Sequence, residues 1–316
     1  MLLVFLSLLI FLGLLVFLLS QVAAAVQLGR DAGILKKLLV SVIVMSALVI
    51  PSRAPAQTTR PDQSSPAAPP PNEPPETAEP PAPSPEPVLD RPVSWKLLYR
   101  NVLADQKQIW TFPARLMHGQ NWAPTAAVLG TTAGLVLLDP TEAGYFRRTP
   151  TFHGFNNIFT GNATAIGMGA VPASLYVIGR FRKDSMMQHT ALLAGEAMAD
   201  GEILTTILKN VTRRVRPIGF PASGNLYDSW FDSKGSPSSY IRGNGSFPSG
   251  HTIAAFSVAT VIARRYRNHR WVPYAAYGLA SLVGFSRLSL NVHFLSDVFM
   301  GGALGYSISR FTVLRE

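Results

Sequence analysis

The sequence predicts an all-α fold: a bundle of about six core helices, largely transmembrane, behind a hydrophobic leader and a disordered Pro-rich linker. Three observations predict it. Apolar segments recur at about 122–138, 160–179, 187–208, 250–263, 272–285 and 294–311, parted by polar or Gly/Pro-rich connections. No segment sustains the alternation of a half-buried strand, and no internal repeat is visible. The 316 residues are 47% apolar, but unevenly: positions 1–50 are nearly all apolar and 57–92 are rich in proline. The expected organisation is therefore a leader over 1–56, a linker over 57–92 and one helical domain over 93–316.

The leader holds two patterns. "MLLVFLSLLIFLGLLVFLLSQVAAAV" is long enough to span a bilayer as a helix but lacks the basic start of a signal peptide. Behind it, Lys36 and Lys37 precede an apolar run, Leu38–Ile50, and Ala54-Pro55-Ala56 resembles a small-residue cleavage site. This second pattern reads as a signal peptide or signal anchor, in which case residues 1–34 reflect a misplaced start; a plain membrane helix is the other reading. Either directs the chain to a membrane. Residues 57–92 cannot pack a core, because proline removes backbone donors and almost nothing there is bulky and apolar. They read as an extended spacer.

In the folded part, "SWKLLYRNVLADQKQIW" is amphipathic, with Trp95, Leu98, Val102 and Ile109 spaced for one helical face. The segment "AGEAMADGEILTTILK" carries Glu196, Asp200 and Glu202, which are costly in lipid unless they face the bundle interior. Glu196 and Asp200 lie four apart, on one face. Paired carboxylates can mean a metal site; the plainer reading is a polar inner face or an exposed helix. Basic clusters at Arg180/Arg182/Lys183, at Arg264/Arg265/Arg267/Arg270 and at Arg310/Arg315 fall on one side of a six-span topology, as expected for cytoplasm. The loop 209–249 and Arg287 then face outward. Arg147 and Arg148 break this pattern.

The absence of cysteine excludes disulfides and Cys-based metal sites. A formal net charge of +10 suits nucleic acid, anionic lipid or phosphorylated substrates. Nucleic acid is the weakest of the three, since the chain opens with membrane-type sequence.

Three polar clusters interrupt the apolar pattern. "KNVTRRVRP", Lys209 to Pro217, alone reads as a basic helix end. "SFPSGHT", Ser246 to Thr252, alone reads as a turn into a helix, with Ser249 as a cap. "SRLSLNVHFLSD", Ser286 to Asp297, sets His293 and Asp297 four apart, within reach on one helical face. Together they supply the parts of a phosphate-ester site. Lys209, Arg216 and Arg287 supply fixed charge, the arginine forks being suited to phosphoryl oxygens. The PSGH turn offers free N–H groups at a helix start, and Gly250 lets that backbone come close to an anion. His293 can attack phosphorus, Asp297 can bond its other ring nitrogen, and His251 remains to protonate the leaving oxygen. Held cations make a metal unnecessary.

The patterns K-x6-RP, PSGH and SR-x5-H-x3-D, present here as Lys209…Arg216-Pro217, Pro248-Ser249-Gly250-His251 and Ser286-Arg287…His293…Asp297, resemble the signature of the type 2 phosphatidic acid phosphatase and vanadium haloperoxidase superfamily. The resemblance runs from about Ala191 to Ser309. It implies a helical bundle with a metal-independent phosphohydrolase site and no cofactor. Lys209, Arg216, Ser249, Gly250 and Arg287 would bind phosphate, His251 would be the general acid, His293 the nucleophile and Asp297 the group that orients it. Vanadate, a phosphate mimic, would inhibit.

The apolar helices and leader favour a lipid phosphate, such as phosphatidic acid or a polyprenyl pyrophosphate, hydrolysed through a phosphohistidine at an inner membrane, with the site facing the periplasm or exterior. Tyr227, Trp230, Phe231 and Tyr240 suggest an aromatic lid in the intervening loop. The alternatives are a secreted or periplasmic acid phosphatase of the same superfamily, a vanadate-dependent haloperoxidase, and a non-catalytic membrane protein that binds phosphate esters. The two histidines with Asp297 argue against the last, because binding needs only the cations.

Overall fold

The computed structural model describes residues 91–221, 225–232, 235, 239 and 243–315, and they are all-α, with no strand among them. The expected leader and linker lie outside the described residues. Helix α1 (Leu98–Met117) is the amphipathic segment, followed by α2 (Trp122–Val136). Two short helices follow, α3 (Asp139–Arg148) and α4 (His153–Ile158). Then come α5 (Gly161–Arg182), α6 (Ser185–Thr212), α7 (Gly250–Arg265), α8 (Trp271–Ser289) and α9 (Leu295–Ser307), which runs into a π-helical turn, Ile308–Val313. All six apolar segments of the sequence are helices. The short α3 and α4 were not anticipated; α3 opens on Asp139-Pro140, a favourable first turn, because proline gives up an amide that has no intrahelical partner there.

Helix α6 is the central element. Leu192, Leu193, Ala194, Ala197, Leu204 and Leu208 line its buried face against Val258 and Val261 of α7 and against Ile308, Val313 and Leu314 at the chain end. Its threonines Thr190, Thr205 and Thr212 are fully buried without cost in lost partners, because each hydroxyl bonds the carbonyl one turn back, at 2.7, 2.7 and 2.9 Å. Helix α9 lies very close to the start of α7: a Cβ at Gly301 would fall 2.8 Å from the Ser249 carbonyl. Only glycine permits that approach, which sets the PSGH turn beside the first turn of α9.

Glu196 and Asp200 do form a polar inner face. Arg91 makes a two-pronged ion pair with Asp105, both bonds at 2.7 Å, and also bonds Glu196. Asn101 reaches Glu196 at 2.8 Å and Gln106 reaches Asp200 at 2.9 Å. These side chains fasten α1 to α6, so the plainer of the two sequence readings describes the pair.

No single described helix is long and apolar enough to cross a membrane. The causes differ between segments: α6 carries internal carboxylates, while α7 and α9 have only 16 and 13 residues. The α2–α3 pair, bent by 52°, passes the length and composition test together. The basic clusters at the ends of α5 and α7 and beyond α9 lie at the end of the bundle away from His251 and His293. Arg147 lies at the other end, where its guanidinium donates to the Pro217 and Phe220 carbonyls at 2.5 and 3.2 Å. That pairing accounts for a charge the topology argument could not place.

Candidate active site

The three clusters meet, and main-chain bonds hold them. Helix α6 ends at Thr212 through Arg213, whose φ of 43° turns the chain out of the helix. The carbonyl of Arg214 then accepts from the Ser246 amide at 2.7 Å, and the Thr212 hydroxyl donates to the Phe247 carbonyl at 3.1 Å, joining the first cluster to the second. The Ile218 amide donates to the Asn291 carbonyl at 2.9 Å, joining the first to the third. The Ser249 amide donates to the Asp297 carbonyl at 3.1 Å, joining the second to the third.

The spacing from Arg287 to His293 has a local cause. Helix α8 ends at Ser289, and Asn291 adopts a left-handed φ of 55°, a conformation asparagine tolerates better than most residues. The chain folds back so that the Val292 and His293 amides both donate to the Arg287 carbonyl, at 3.1 and 3.2 Å. His293 is therefore fixed to the backbone of the arginine beside it. It lies in the turn before α9 rather than on the helix, which differs from the shared helical face expected from its spacing to Asp297.

His293 is 2% exposed. Its Nδ1 lies 2.7 Å from the Ser246 carbonyl oxygen, which can only accept, so Nδ1 carries the ring proton and Nε2 keeps its lone pair. Asp297 Oδ2 is 3.6 Å from Nδ1, too far for the direct bond expected from sequence. It acts on the ring as a neighbouring negative charge and through Ser246, whose hydroxyl donates to Oδ2 at 2.5 Å. Oδ2 also accepts the Phe294 amide at 2.9 Å, the reach-back bond of an N-terminal helix cap. Burial is the main force pulling the His293 pKa down, to about 4; nearby Lys209 and Arg216 add to it and Asp297 opposes it. The ring is therefore neutral at neutral pH.

Lys209, in the last turn of α6, and Arg216, in the connection beyond it, both donate to the Gly243 carbonyl, at 3.1 and 2.7 Å. Two cations converge on one oxygen, the arrangement a phosphoryl group needs. Burial lowers the pKa of Arg216 and Asp297 works against that shift. Gly250 sits against this pair: a Cβ there would fall 3.2 Å from Thr205 and 3.8 Å from the Lys209 Nζ. The half-buried His251 bonds the Gly161 carbonyl through Nε2 at 3.1 Å, which places a proton on that nitrogen. Arg287 donates to the Phe159 carbonyl at 2.6 Å and to Thr164 Oγ1 at 3.0 Å, while Ser286 Oγ accepts from its Nε and one terminal nitrogen at 3.0 and 2.7 Å.

Ser249 stands among these residues, with its amide engaged elsewhere. Its hydroxyl pairs with Thr252 Oγ1 at 2.8 Å and its amide with the Asp297 carbonyl. It occupies the cap position of α7 without a side-chain cap bond, so the sequence reading placed it correctly in the chain and not in its bonding. Trp230 differs from the expected lid as well: it packs on Phe247 at 5.2 Å and covers the Arg214 guanidinium at 4.1 Å. Tyr240 lies outside the described residues.

Several contributors were not singled out from sequence. Ser246 links His293 and Asp297, and Arg214, between two arginines of the first cluster, lies beneath Asp297. Phe159, Gly161 and Thr164 come from the α4–α5 junction. None of these last three is titratable, and two act through main-chain carbonyls, so no residue type marked them.

The PAP2 superfamily model matches residues 190–315. The chain is 44% identical over 61 residues to lipid A 1-phosphatase of Porphyromonas gingivalis, a match covering 19% of this chain and 14% of that protein. It is 33% identical over 72 residues to lipid A 4'-phosphatase of the same organism, covering 23% and 30%. It is 35% identical over 111 residues to phosphatidylglycerophosphatase B of Bacillus subtilis, covering 33% and 46%. The matched stretches thus span less than half of each relative's length. A crystal structure of a transmembrane PAP2-type phosphatidylglycerolphosphate phosphatase from B. subtilis aligns over 68% of this chain and 92% of its own, at 22% identity and a TM-score of 0.35. Over residues 190–315, this chain is similar to the PAP2 superfamily.

Proposed function

We propose that this protein is a metal-independent phosphatase that hydrolyses a lipid phosphate through a phosphohistidine at His293. The observation that carries the reading is the buried His293 ring, whose Nδ1–H is committed to the Ser246 carbonyl, leaving the Nε2 lone pair free beside Lys209 and Arg216. In the first step that lone pair forms the N–P bond and the P–O ester bond breaks. Its electron pair goes to the leaving oxygen, which takes a proton from the imidazolium form of His251, leaving that ring neutral. In the second step water attacks the phosphohistidine, His251 accepts a proton from it, the N–P bond breaks and phosphate departs. Lys209, Arg216 and Arg287 hold the phosphoryl oxygens, and the Gly250 backbone approaches them.

Three features favour a lipid substrate over the soluble acid phosphatase reading. Large apolar side chains stand exposed on α5 (Ile166, Val171, Ile178, Phe181) and on α8 (Trp271, Tyr274, Leu279). An apolar cavity of about 800 Å³ between α7, α8 and α9 is lined by Phe256, Leu288, Leu295, Val298 and Phe299, of which Leu288 follows Arg287 in sequence, and extends to Arg264 and Arg267; it has room for acyl chain. The relatives named above are lipid phosphatases by name. We place the chain at a membrane with its basic end toward the cytoplasm and the site outward.

The direct test is phosphate release by the detergent-purified protein from a panel of phosphatidic acid, phosphatidylglycerophosphate, lipid A and a polyprenyl pyrophosphate. Release should resist EDTA and be inhibited by vanadate; strong EDTA inhibition would overturn the metal-independent mechanism. The pH profile gives a second check. A histidine with a lowered pKa keeps its lone pair above that pKa and loses it as pH falls. The acid limb of kcat/KM, which reports the free enzyme, should therefore lie near pH 4. A limb near 6.5, the ordinary histidine value, would contradict the buried ring.

A further inference from the structure

Beneath the nucleophile lies a chain of alternating charges that the phosphatase reading does not use. Arg214 is 1% exposed, its guanidinium held between the faces of Trp230 and Phe294 at 4.1 and 3.9 Å. One terminal nitrogen donates to Asp297 Oδ1 at 2.5 Å and to the Ser296 hydroxyl at 2.8 Å. The other donates to Asp139 Oδ2 at 2.6 Å. Asp139, at the start of α3, is 1% exposed and also accepts the Ser296 amide and hydroxyl, at 3.1 and 2.6 Å. The series runs Asp139, Arg214, Asp297, His293, with every junction but the last a direct bond.

We propose that Asp139 and Arg214 are positioning residues for the nucleophile: Arg214 clamps the Asp297 carboxylate beside the His293 ring, and Asp139 offsets the charge of Arg214 so that Asp297 can stabilise the ring as it becomes cationic. The inference rests on His293 being the nucleophile.

With all three ionised, Asp139, Asp297 and Arg214 carry one net negative charge beneath the ring, and the Glu142 carboxyl of α3 lies in the same field. When Nε2 bonds phosphorus and Nδ1 keeps its proton, the ring turns positive and that charge is matched. Without Asp139 the buried Arg214 would spend the Asp297 charge in the ground state, and the cationic ring would form against a neutral support. In a low-dielectric interior such fixed charges act strongly. Geometry adds a second contribution. Planar guanidinium can bond two carboxylates on opposite sides at once, which a lysine ammonium on a flexible stem cannot do as rigidly. Two aromatic faces leave it no other orientation. Asp139 also bonds the first-turn amide of Ser296, so it fixes α9, and Asp297 with it. Asp139 lies outside the family-matched residues 190–315, and Arg214 falls among the unspecified positions of K-x6-RP. The other charged groups acting on the His293 ring are Lys209 of α6 and Arg216 beyond it, both repelling a ring proton.

The test uses the full chain in detergent and p-nitrophenyl phosphate as probe, following nitrophenolate release in a single turnover. Vanadate binding counts intact sites. Asp139→Asn should lower the single-turnover rate constant about tenfold or more per vanadate-binding site and move the acid limb below that of the wild type, since losing a negative charge disfavours the cationic ring. Asp139→Glu, which keeps the charge, should recover part of the rate. A merely structural role would reduce the number of vanadate-binding sites and leave the rate constant and the limb in place, overturning the proposal. So would D139E and D139N variants equally slow. Should D139N bind no vanadate, Arg214→Lys takes its place: a rate constant equal to wild type per site overturns the inference, and a lowered one supports it. Wild-type protein that forms no phosphohistidine would instead overturn the phosphatase reading itself, which separates the two failures.

Discussion

Replacing His293 with alanine should lower phosphate release by on the order of 10⁴-fold or more, because the variant loses the only group that forms the N–P bond. The fold should survive. The clusters are joined by main-chain bonds from Ser246 to Arg214, from Ile218 to Asn291 and from Ser249 to Asp297, none of which uses the imidazole. The loss is one side-chain bond, to the Ser246 carbonyl, which leaves a buried acceptor unpaired at a cost of about 1–3 kcal/mol. Phosphate release and thermal melting of the same preparation check both halves. Activity within tenfold of wild type in well-folded H293A protein would remove the nucleophile from the account.

Arg216→Ala and Arg287→Ala should each slow turnover by roughly 2–4 kcal/mol, the size of one lost oxyanion donor in a site shielded from water. The two should differ in stability. Arg216 is half-buried and, among the described residues, bonds the Gly243 carbonyl, an oxygen it shares with Lys209, so its removal leaves that acceptor a partner. Arg287 is 1% exposed and bonds the Phe159 carbonyl, Thr164 and Ser286. Its loss leaves a part-buried carbonyl at the α4–α5 junction without that donor, and a cavity, so R287A should melt at a lower temperature while R216A melts near the wild type. Parallel measurement of kcat and melting temperature separates the effects. Equal melting with equal kcat loss would show that Arg287 does not anchor α4 and α5.

Much of this was legible in the sequence, for identifiable reasons. The six long helices announced themselves because each carries an apolar run bounded by Gly, Pro or charge, a signal local to the segment. The site was legible because chemistry needs particular residue types: two histidines, a carboxylate, a lysine and two arginines cannot be exchanged for others. Positions defined by tertiary fit were not legible. Ser249 looks like a cap and phosphate donor, yet Gly301 brings α9 so close that the Asp297 carbonyl takes its amide. Trp230 looks like a lid, yet the buried Arg214, far back along the chain, needs an aromatic face. His293 looks like a helix residue by its spacing to Asp297, but the left-handed Asn291 turns it into the loop. Asp139 gave no signal at all, because its partners lie 75 and 157 positions further along the chain.

The claim on which the rest depends is that the His293 ring carries the phosphoryl group between bond breaking and release. Rapid quenching of the wild-type protein during turnover of a lipid phosphate, followed by mass spectrometry under alkaline conditions that preserve phosphohistidine, reads this directly. The account predicts a single phosphate on residue 293, absent from His293→Ala and prevented by vanadate. Phosphate on any other side chain, or turnover without a phosphorylated residue, would contradict it.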